Sequence, residues 1–191
     1  VFLFLGVSAR LRNLANRVSG NATLQSAVYG ALYVPVLFVL TFPIAWYAQF
    51  WRQHKYELAT QTFGPWFGEQ MTGLVISLIL GALLISVLYA VFRRTGRAWW
   101  LWGAGVGMGF LVLTIFIAPM WIDPLFNDYK PLPSGPLRDR ILSIAHASGV
   151  PADEVYWFDA SRQTKKISAN VAGFGSTTRI ALNDNLLNRS S

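Results

Sequence analysis

Cysteine is absent from the 191 residues, and histidine occurs only twice, at His54 and His146. The chain therefore contains no disulfide, no thiolate metal site and no cysteine nucleophile. Only 13% of the residues are charged and 53% are hydrophobic, a composition too apolar for an ordinary soluble domain. The formal net charge is +7, but the basic residues are dispersed beside apolar runs. This pattern indicates juxtamembrane charge and argues against nucleic-acid binding.

Catalytic motifs are absent as well. A zinc peptidase of the common type needs two histidines one helical turn apart with a glutamate beside them, and the sequence has no His-Glu-x-x-His. We predict that His54 lies in a membrane-proximal loop and His146 on the solvent face of a helix. The sequence pattern places no serine with both a general base and an orienting acid, so it does not support a hydrolytic triad. The sequence predicts no catalytic residue and no metal ligand in this chain.

Three apolar stretches are long enough to cross a bilayer, at about residues 27–50, 73–92 and 99–122. A polar and aromatic loop is predicted over residues 51–72, and residues 1–7 are interpreted as the tail of an earlier membrane helix. Basic residues are nearly equal in number on the two sides, which leaves the orientation open. The predicted fold class is mainly α, a multi-pass helical membrane protein with three full spans plus that tail.

The composition changes sharply after residue 122, which predicts a membrane-spanning domain over 1–122 and a partial α+β domain over 123–191. Prolines at 124, 131, 133 and 136 predict a stiff connector. An amphipathic helix is predicted over residues 137–148, followed by a strand over 155–159. The predicted buried face of that helix consists of Leu137, Ile141, Ile144 and Ala145.

Two acidic residues flank the connector, Asp123 and Asp128. We interpret them as solvated juxtamembrane charges, with Lys130 and Arg138 as available partners.

A β-hairpin is predicted at the end of the chain. Residues 167–172 and 178–182 have the composition of strands, and the intervening Gly173-Phe-Gly175 supplies the backbone freedom of a turn. Asn183 or Asp184 is positioned to cap a helix that follows directly. The C-terminal domain is thus predicted to have one full helix, three strands and the start of a second helix.

Two segments stand out, residues 166–187, with the glycine turn and the Arg-Ile-Ala-Leu strand, and residues 119–132, with Asp-Pro-Leu-Phe-Asn at 123–127. Both resemble segments of the type I CAAX prenyl endopeptidases, a family of membrane-embedded zinc metallopeptidases. The first resembles the segment before the zinc-binding helix of that family, and the second resembles the family's exit from its last membrane helix. Together with the spans, the similarity runs from about Gln25 to Leu187.

The resemblance implies a peptidase that cuts near the C-terminus of a protein substrate, which is prenylated in eukaryotic members. It implies membrane helices around an internal chamber, a zinc-bound water that attacks the peptide bond, and a peptidase domain on the cytoplasmic side. We expect zinc in the full-length protein and none bound to these 191 residues. The chain ends before the His-Glu-x-x-His helix and is therefore expected to be inactive alone.

The resemblance also implies that the strand before the glycine turn is an exposed edge that binds the substrate backbone by strand addition. The candidate substrate-binding residues are Ser168, Ala169, Asn170 and Gly173. The family usually has Asn-Ala-aromatic here, and Ser168 takes the place of its Asn and Asn170 that of its aromatic residue. This departure leaves open which side chain, Ser168 or Asn170, takes the polar role of the family's Asn.

Other interpretations of the same features stay open. The hairpin could instead have an ordinary structural role. The whole chain could instead be a non-catalytic membrane scaffold or a peptide-binding module. A transporter is a weaker third candidate because the spans have almost no charged residues. The expected partners are membrane lipid and a protein or peptide substrate, with no nucleic acid.

Overall fold

A computed structural model of the chain describes residues 6–173 and 178–189. It contains seven α-helices and four strands within these residues. The helices are α1 (Val7–Val18), α2 (Ala22–Ala45), α3 (Arg52–Lys55), α4 (Phe63–Thr95), α5 (Trp99–Ile117), α6 (Pro136–Ala147) and α7 (Asp184–Arg189). The strands are β1 (Tyr129–Pro131), β2 (Glu154–Phe158), β3 (Ala169–Ala172) and β4 (Arg179–Asn183). The chain forms two compact units, Val1–Tyr47 with Phe67–Val112, and Ala48–Trp66 with Leu113–Ser191. The division into domains at residue 122 stays a prediction.

Two continuous helical runs among the described residues are long and apolar enough to cross a membrane, 22–55 and 63–125. The second run contains a tight turn, because Gly96 has a φ of 49°, and this turn separates α4 from α5. The chain is therefore mainly helical with long apolar helices, as predicted, and the number of full spans stays a prediction. The interpretation of residues 1–7 as a helix tail falls mostly outside the described residues.

The first run continues beyond the predicted span. After α2 it passes through a π-helical turn, Trp46–Trp51, and ends with α3 at Lys55. The loop predicted over residues 51–72 is therefore much shorter, because α4 already begins at Phe63. The polar residues after the apolar stretch did not end the helix, because Arg, Gln and Lys are good helix formers.

The first unit is built on helices α1, α2 and α4. Asn21 caps α2 by accepting hydrogen bonds from the N–H groups of Thr23 and Leu24. Helix α1 packs against α2 and buries Leu11 and Ala15.

Glycine allows α2 and α4 to approach closely within this unit. A Cβ atom placed on Gly30 would lie 3.1 Å from the Cα atom of Ala82 and 3.2 Å from Cδ1 of Ile85. The contact with Ala82 is to backbone, which does not move aside as a flexible side chain does. Small residues at such crossings are the usual means of close helix packing in membranes.

The second unit contains a four-stranded sheet in the order β1-β2-β4-β3. Strand β2 is parallel to β4, whereas β1 and β3 pair antiparallel with β2 and β4 respectively. The strands predicted near β2, β3 and β4 are confirmed. The prediction missed β1, because its proline-rich segment looked like a connector and its pairing with β2 is not visible in the sequence.

Helix α6 covers the sheet, and each of its ends lies within one residue of the predicted bounds 137–148. The core includes Ala145 of this helix, with Ile141 and Leu142 packed against it. The predicted buried face was wrong for Leu137 and Ile144, which are 50% and 67% exposed. Helix α6 is covered on one narrow side only, so Leu142 packs in the core and Ile144 faces outward.

The loop before α4 is tied to the basic turn that precedes β3. The N–H of Lys165 donates to the carbonyl of Leu58 at 2.8 Å, and the N–H of Thr60 donates to the carbonyl of Gln163 at 3.1 Å. Ala59 and Thr164 form an antiparallel bridge between these bonds. The segment leading into β3 is thereby held in place.

Candidate functional site

Strand β3 is an edge of the sheet. Among the described residues it pairs only with β4, in a register that places Asn170 opposite Ala181 and Val171 opposite Ile180. Ala169, Asn170 and Val171 are exposed. Of the predicted site residues, Ala169 and Asn170 therefore lie in this accessible strand, and Ser168 and Gly173 flank it directly.

The backbone groups of β3 alternate between β4 and the open edge. The N–H of Asn183 donates to the carbonyl of Ser168 at 3.0 Å, so Ser168 and Asn183 form a hydrogen-bonded pair. In an antiparallel ladder such pairs recur at every second residue. Asn170 therefore directs its N–H and C=O toward β4, whereas Ala169 and Val171 direct theirs toward the open edge. A peptide added here would bond to Ala169 and Val171.

The end of β3 has the backbone geometry of a turn. Gly173 has a φ of 102°, a conformation that favours glycine. The remainder of the predicted turn, Phe174 and Gly175, lies outside the described residues.

Asn183 anchors the start of β3 to the sheet. Its side chain is buried, with an exposure of 1%. Its amide oxygen accepts from the N–H of Ser168 at 3.1 Å and from the N–H of Leu186 at 3.0 Å, and its amide nitrogen donates to the carbonyl of Lys166 at 2.6 Å. Asn183 is thus the N-terminal cap of α7. The sequence had offered Asn183 or Asp184 for this role. The sequence did not reveal its second role as the anchor of the edge strand.

Asp184 fixes the loop after β2 to the start of α7. Its carboxylate accepts hydrogen bonds at 3.0 Å from the N–H groups of both Ala160 and Ser161, and at 2.9 Å from that of Asn185. Burial by itself raises the pKa of the Asp184 carboxyl, but these bonds and one from the Ser161 hydroxyl outweigh it. The pKa is therefore lowered below its ordinary value, and the ionised form is the one that supports the fold.

The two motifs that carried the family resemblance meet at an ion pair. Arg179, at the start of β4, lies 3.4 Å from the carboxylate of Asp123, just after the last membrane helix. Its guanidinium also stacks over the ring of Tyr129, 4.4 Å from the centroid. Burial raises the pKa of the Tyr129 phenol, the Asp123 carboxylate raises it further, and Arg179 opposes both.

This ion pair corrects the interpretation of Asp123. We expected a solvated charge with Lys130 or Arg138 as the available partner, whereas its partner is Arg179. Arg138 pairs instead with Glu154 at 3.6 Å. The partner lies 56 residues away in sequence, so only the fold brings the two charges together.

His54 lines a cavity of about 290 Å³ in the second unit, beside Gln53 and Lys166. Its ring nitrogens lie 2.8 Å from the carbonyl oxygen of Phe50 and 2.9 Å from that of Gln61. Each ring nitrogen therefore faces a carbonyl oxygen instead of open space from which a metal could approach.

The described residues do not fit a zinc ion. His146 is exposed on α6 as predicted, and its Nε2 lies 3.0 Å from the carbonyl oxygen of Ala152. Across residues 6–173 and 178–189, no three histidine, aspartate or glutamate side chains gather into a group that could hold a metal. No step of a reaction is assigned to a metal on these residues.

Sequence reasoning did not name Val171 as a candidate for binding a peptide. It selected residues by their position in the family motif, but the alternation of the ladder directs the backbone of Ala169 and Val171 outward. The signal that would have found Val171 is the pairing register.

Comparisons with known proteins agree with this architecture. Residues 1–128 match the family described as "CAAX prenyl protease N-terminal, five membrane helices". The chain is 31% identical over 189 residues to the uncharacterised metalloprotease YhfN of Bacillus subtilis, which covers 99% of this chain and 44% of that protein. It is 26% identical over 174 residues to CAAX prenyl protease 1 of Saccharomyces cerevisiae, which covers 87% of this chain and 37% of that protein.

A solved structure shows the same fold. The crystal structure of S. mikatae Ste24p matches with a TM-score of 0.84 at 24% identity, over 100% of this chain and 46% of the other. This chain thus spans less than half the length of these relatives. With a family match over residues 1–128, the chain belongs to the CAAX prenyl protease family and corresponds to its N-terminal, membrane-helix part.

Proposed function

We propose that this chain is the N-terminal part of an integral-membrane zinc metalloendopeptidase. In this proposal the complete protein cleaves a peptide bond near the C-terminus of a protein substrate. The substrate belongs to the prenylated class, after which the relatives named CAAX prenyl protease are called. The observation that carries the proposal is the family match over residues 1–128. The similarity to a metalloprotease over 99% of the chain supports it.

In this proposal the zinc is held by a part of the complete protein outside these 191 residues. The described residues do not fit a metal, and the two ring nitrogens of His54 are both occupied by carbonyl contacts. The 191 residues alone are therefore proposed to be inactive and to bind no stoichiometric zinc. The sheet-bearing part is proposed to lie on the cytoplasmic side.

The role proposed for this chain in the reaction is to hold the substrate in extended form. The open edge of β3 offers the N–H and C=O groups of Ala169 and Val171 to a peptide strand. Asn183 and the ties of the preceding turn hold that edge in position before a substrate arrives. Main-chain pairing supplies affinity with little dependence on side chains. This explains how the edge works although Asn170 replaces the aromatic residue of the family strand.

The test is steady-state cleavage of a C-terminal farnesylated peptide by the complete protein, together with its zinc content. Val171→Pro removes an outward N–H without removing a bond to β4, and proline is tolerated at an open edge. Loss of one hydrogen bond of about 1 kcal/mol raises KM at least about fivefold. The matched control, Val171→Ala, keeps the N–H and is expected to retain the wild-type KM.

The outcomes separate the two parts of the proposal. Equal KM values for Val171→Pro and Val171→Ala would refute strand addition at β3 and leave the peptidase assignment standing. A complete protein that holds no zinc and cleaves no peptide would refute the peptidase assignment and favour a membrane scaffold.

A further inference from the structure

The first unit contains a cavity of about 470 Å³ between α1, the start of α2 and the end of α4. Two arginines from different helices line it, Arg12 of α1 and Arg93 of α4. Tyr29 and Tyr89 line it as well, and their ring centroids lie 6.5 Å apart. No acidic side chain is among its lining residues within the described part of the chain.

The charge of this unit is almost entirely positive. It contains six arginines and one acidic residue, Glu69, so it accounts for +5 of the net charge of +7. Glu69 precedes Arg93 by 24 residues on the same helix, which corresponds to about 36 Å. The sequence has no acidic residue before Glu57. Among the described residues of this unit, the two arginines of the cavity therefore have no acidic side chain nearby.

Among the described residues, the hydrogen-bond acceptors that hold Arg93 in place are neutral. Its guanidinium donates to the hydroxyl oxygens of Ser26 at 3.1 Å and Thr23 at 3.3 Å, and to the carbonyl of Ala22 at 3.4 Å. These bonds orient the group without neutralising it, and a guanidinium has five N–H donors. Arg12 has no hydrogen-bond or ion-pair partner among the described residues.

The cavity lies where the apolar stretches of α2 and α4 end, and lipid phosphates lie at the ends of membrane-spanning stretches. Arg93 is the first charged residue after the uncharged stretch 70–92 of α4, and α2 begins its apolar run a few residues after Ala22. Tyrosines at the end of apolar helices mark the membrane–water boundary. A phosphate placed there accepts hydrogen bonds from arginine in a fork geometry that matches its oxygens.

We propose that this cavity binds the phosphate-bearing head group of an anionic membrane lipid through Arg12 and Arg93. The acyl chains then lie against the apolar surfaces of α2 and α4. The lipid supplies the negative charge that this unit lacks and joins α1 to the other two helices. The site is independent of the peptidase assignment, because none of its residues belongs to the β3 edge.

The experiment is native mass spectrometry of the complete protein, titrated with phosphatidylglycerol, phosphatidylcholine or inorganic phosphate. We expect retention of a single phosphatidylglycerol and weaker retention of phosphatidylcholine. Arg12→Gln is expected to raise the Kd for phosphatidylglycerol about tenfold, which corresponds to ~1.4 kcal/mol. Arg17→Gln is the matched control, because it removes the same charge from α1 at a residue that does not line the cavity.

A second pair of variants guards against loss of folding. Arg93→Gln and Arg94→Gln remove neighbouring charges at the end of α4, and only Arg93 lines the cavity. Equal weakening by Arg12→Gln and Arg17→Gln would show a general attraction of charge and would overturn the proposal. Equal retention of the two lipids, no retained lipid, or stoichiometric inorganic phosphate without lipid retention would each overturn it as well.

Discussion

Replacement of Asn183 by alanine tests the anchor of the edge strand. The side chain is 1% exposed and joins three backbone groups, the N–H of Ser168, the N–H of Leu186 and the carbonyl of Lys166. Alanine removes all three hydrogen bonds at once. It leaves the ladder bond from the Asn183 N–H to the carbonyl of Ser168 in place.

The magnitude follows from the groups that lose their partner. The carbonyl of Lys166 keeps a second donor, because the side chain of Asn185 lies 3.2 Å from it. The N–H groups of Ser168 and Leu186 lose their acceptor, at about 1 kcal/mol each, and the lost cap and packing add to this. We expect a total of roughly 2–3 kcal/mol. This corresponds to a local opening that is roughly 30- to 150-fold more frequent.

The assay is hydrogen exchange of the complete protein, followed by mass spectrometry of peptides that cover β3, α7 and α6. Protection of β3 and α7 against exchange is expected to fall by roughly 30- to 150-fold, and protection of α6 is expected to fall much less. Asn170→Ala is the matched control, because Asn170 is an exposed asparagine on β3, the strand that Asn183 anchors. Unchanged exchange in β3 for Asn183→Ala would refute the anchor. Equal exchange in both variants would refute it too.

Two further predictions concern other contacts. Asp184→Asn is expected to cost about 1 kcal/mol at pH 7, because Asp184 holds the N–H groups of Ala160 and Ser161. Since the folded pKa of Asp184 is lowered, its contribution is complete above the ordinary value of about 3.9 and is lost as pH falls through the folded value. The free energies of unfolding of the wild type and of Asp184→Asn, measured from pH 3 to pH 7, are therefore expected to converge at the acid end. A difference between them that grows toward pH 3 would contradict the assignment. Gly30→Ala is expected to lower the Tm in detergent by about 2–4 °C, because its Cβ meets the Ala82 backbone at 3.1 Å. Gly73→Ala, which meets nothing within 4 Å, is expected not to lower it, and an equal fall in both would contradict the packing argument.

The helices show how far local pattern reaches. The stretch 73–92 is uncharged and lies entirely within α4, so its helix was predictable from composition alone. The end of the first helical run was not predictable, since after α2 it continues through the π-helical turn and α3 to Lys55. The buried face of α6 was not predictable either. Ile144 fits the helical spacing of apolar residues, yet it is exposed and is not part of the described core cluster.

The candidate site was predictable as a segment but not as a geometry. Its strand, turn glycine and helix cap all follow from residue types that are strongly selected by backbone conformation. The outward direction of Val171 depends on the register with β4, and the ion pair of Asp123 with Arg179 joins residues from distant segments.

The sequence by itself determined the apolar helices, the lack of a metal motif in these residues, and the family. Those properties depend on composition and on short motifs, which are set by neighbours along the chain. Only the tertiary structure decided which backbone groups of β3 face the open edge, that Asn183 holds this strand, and that Arg12 and Arg93 share one cavity. Each of these depends on which distant groups find each other once apolar surface is buried, and a one-dimensional pattern does not encode that pairing directly.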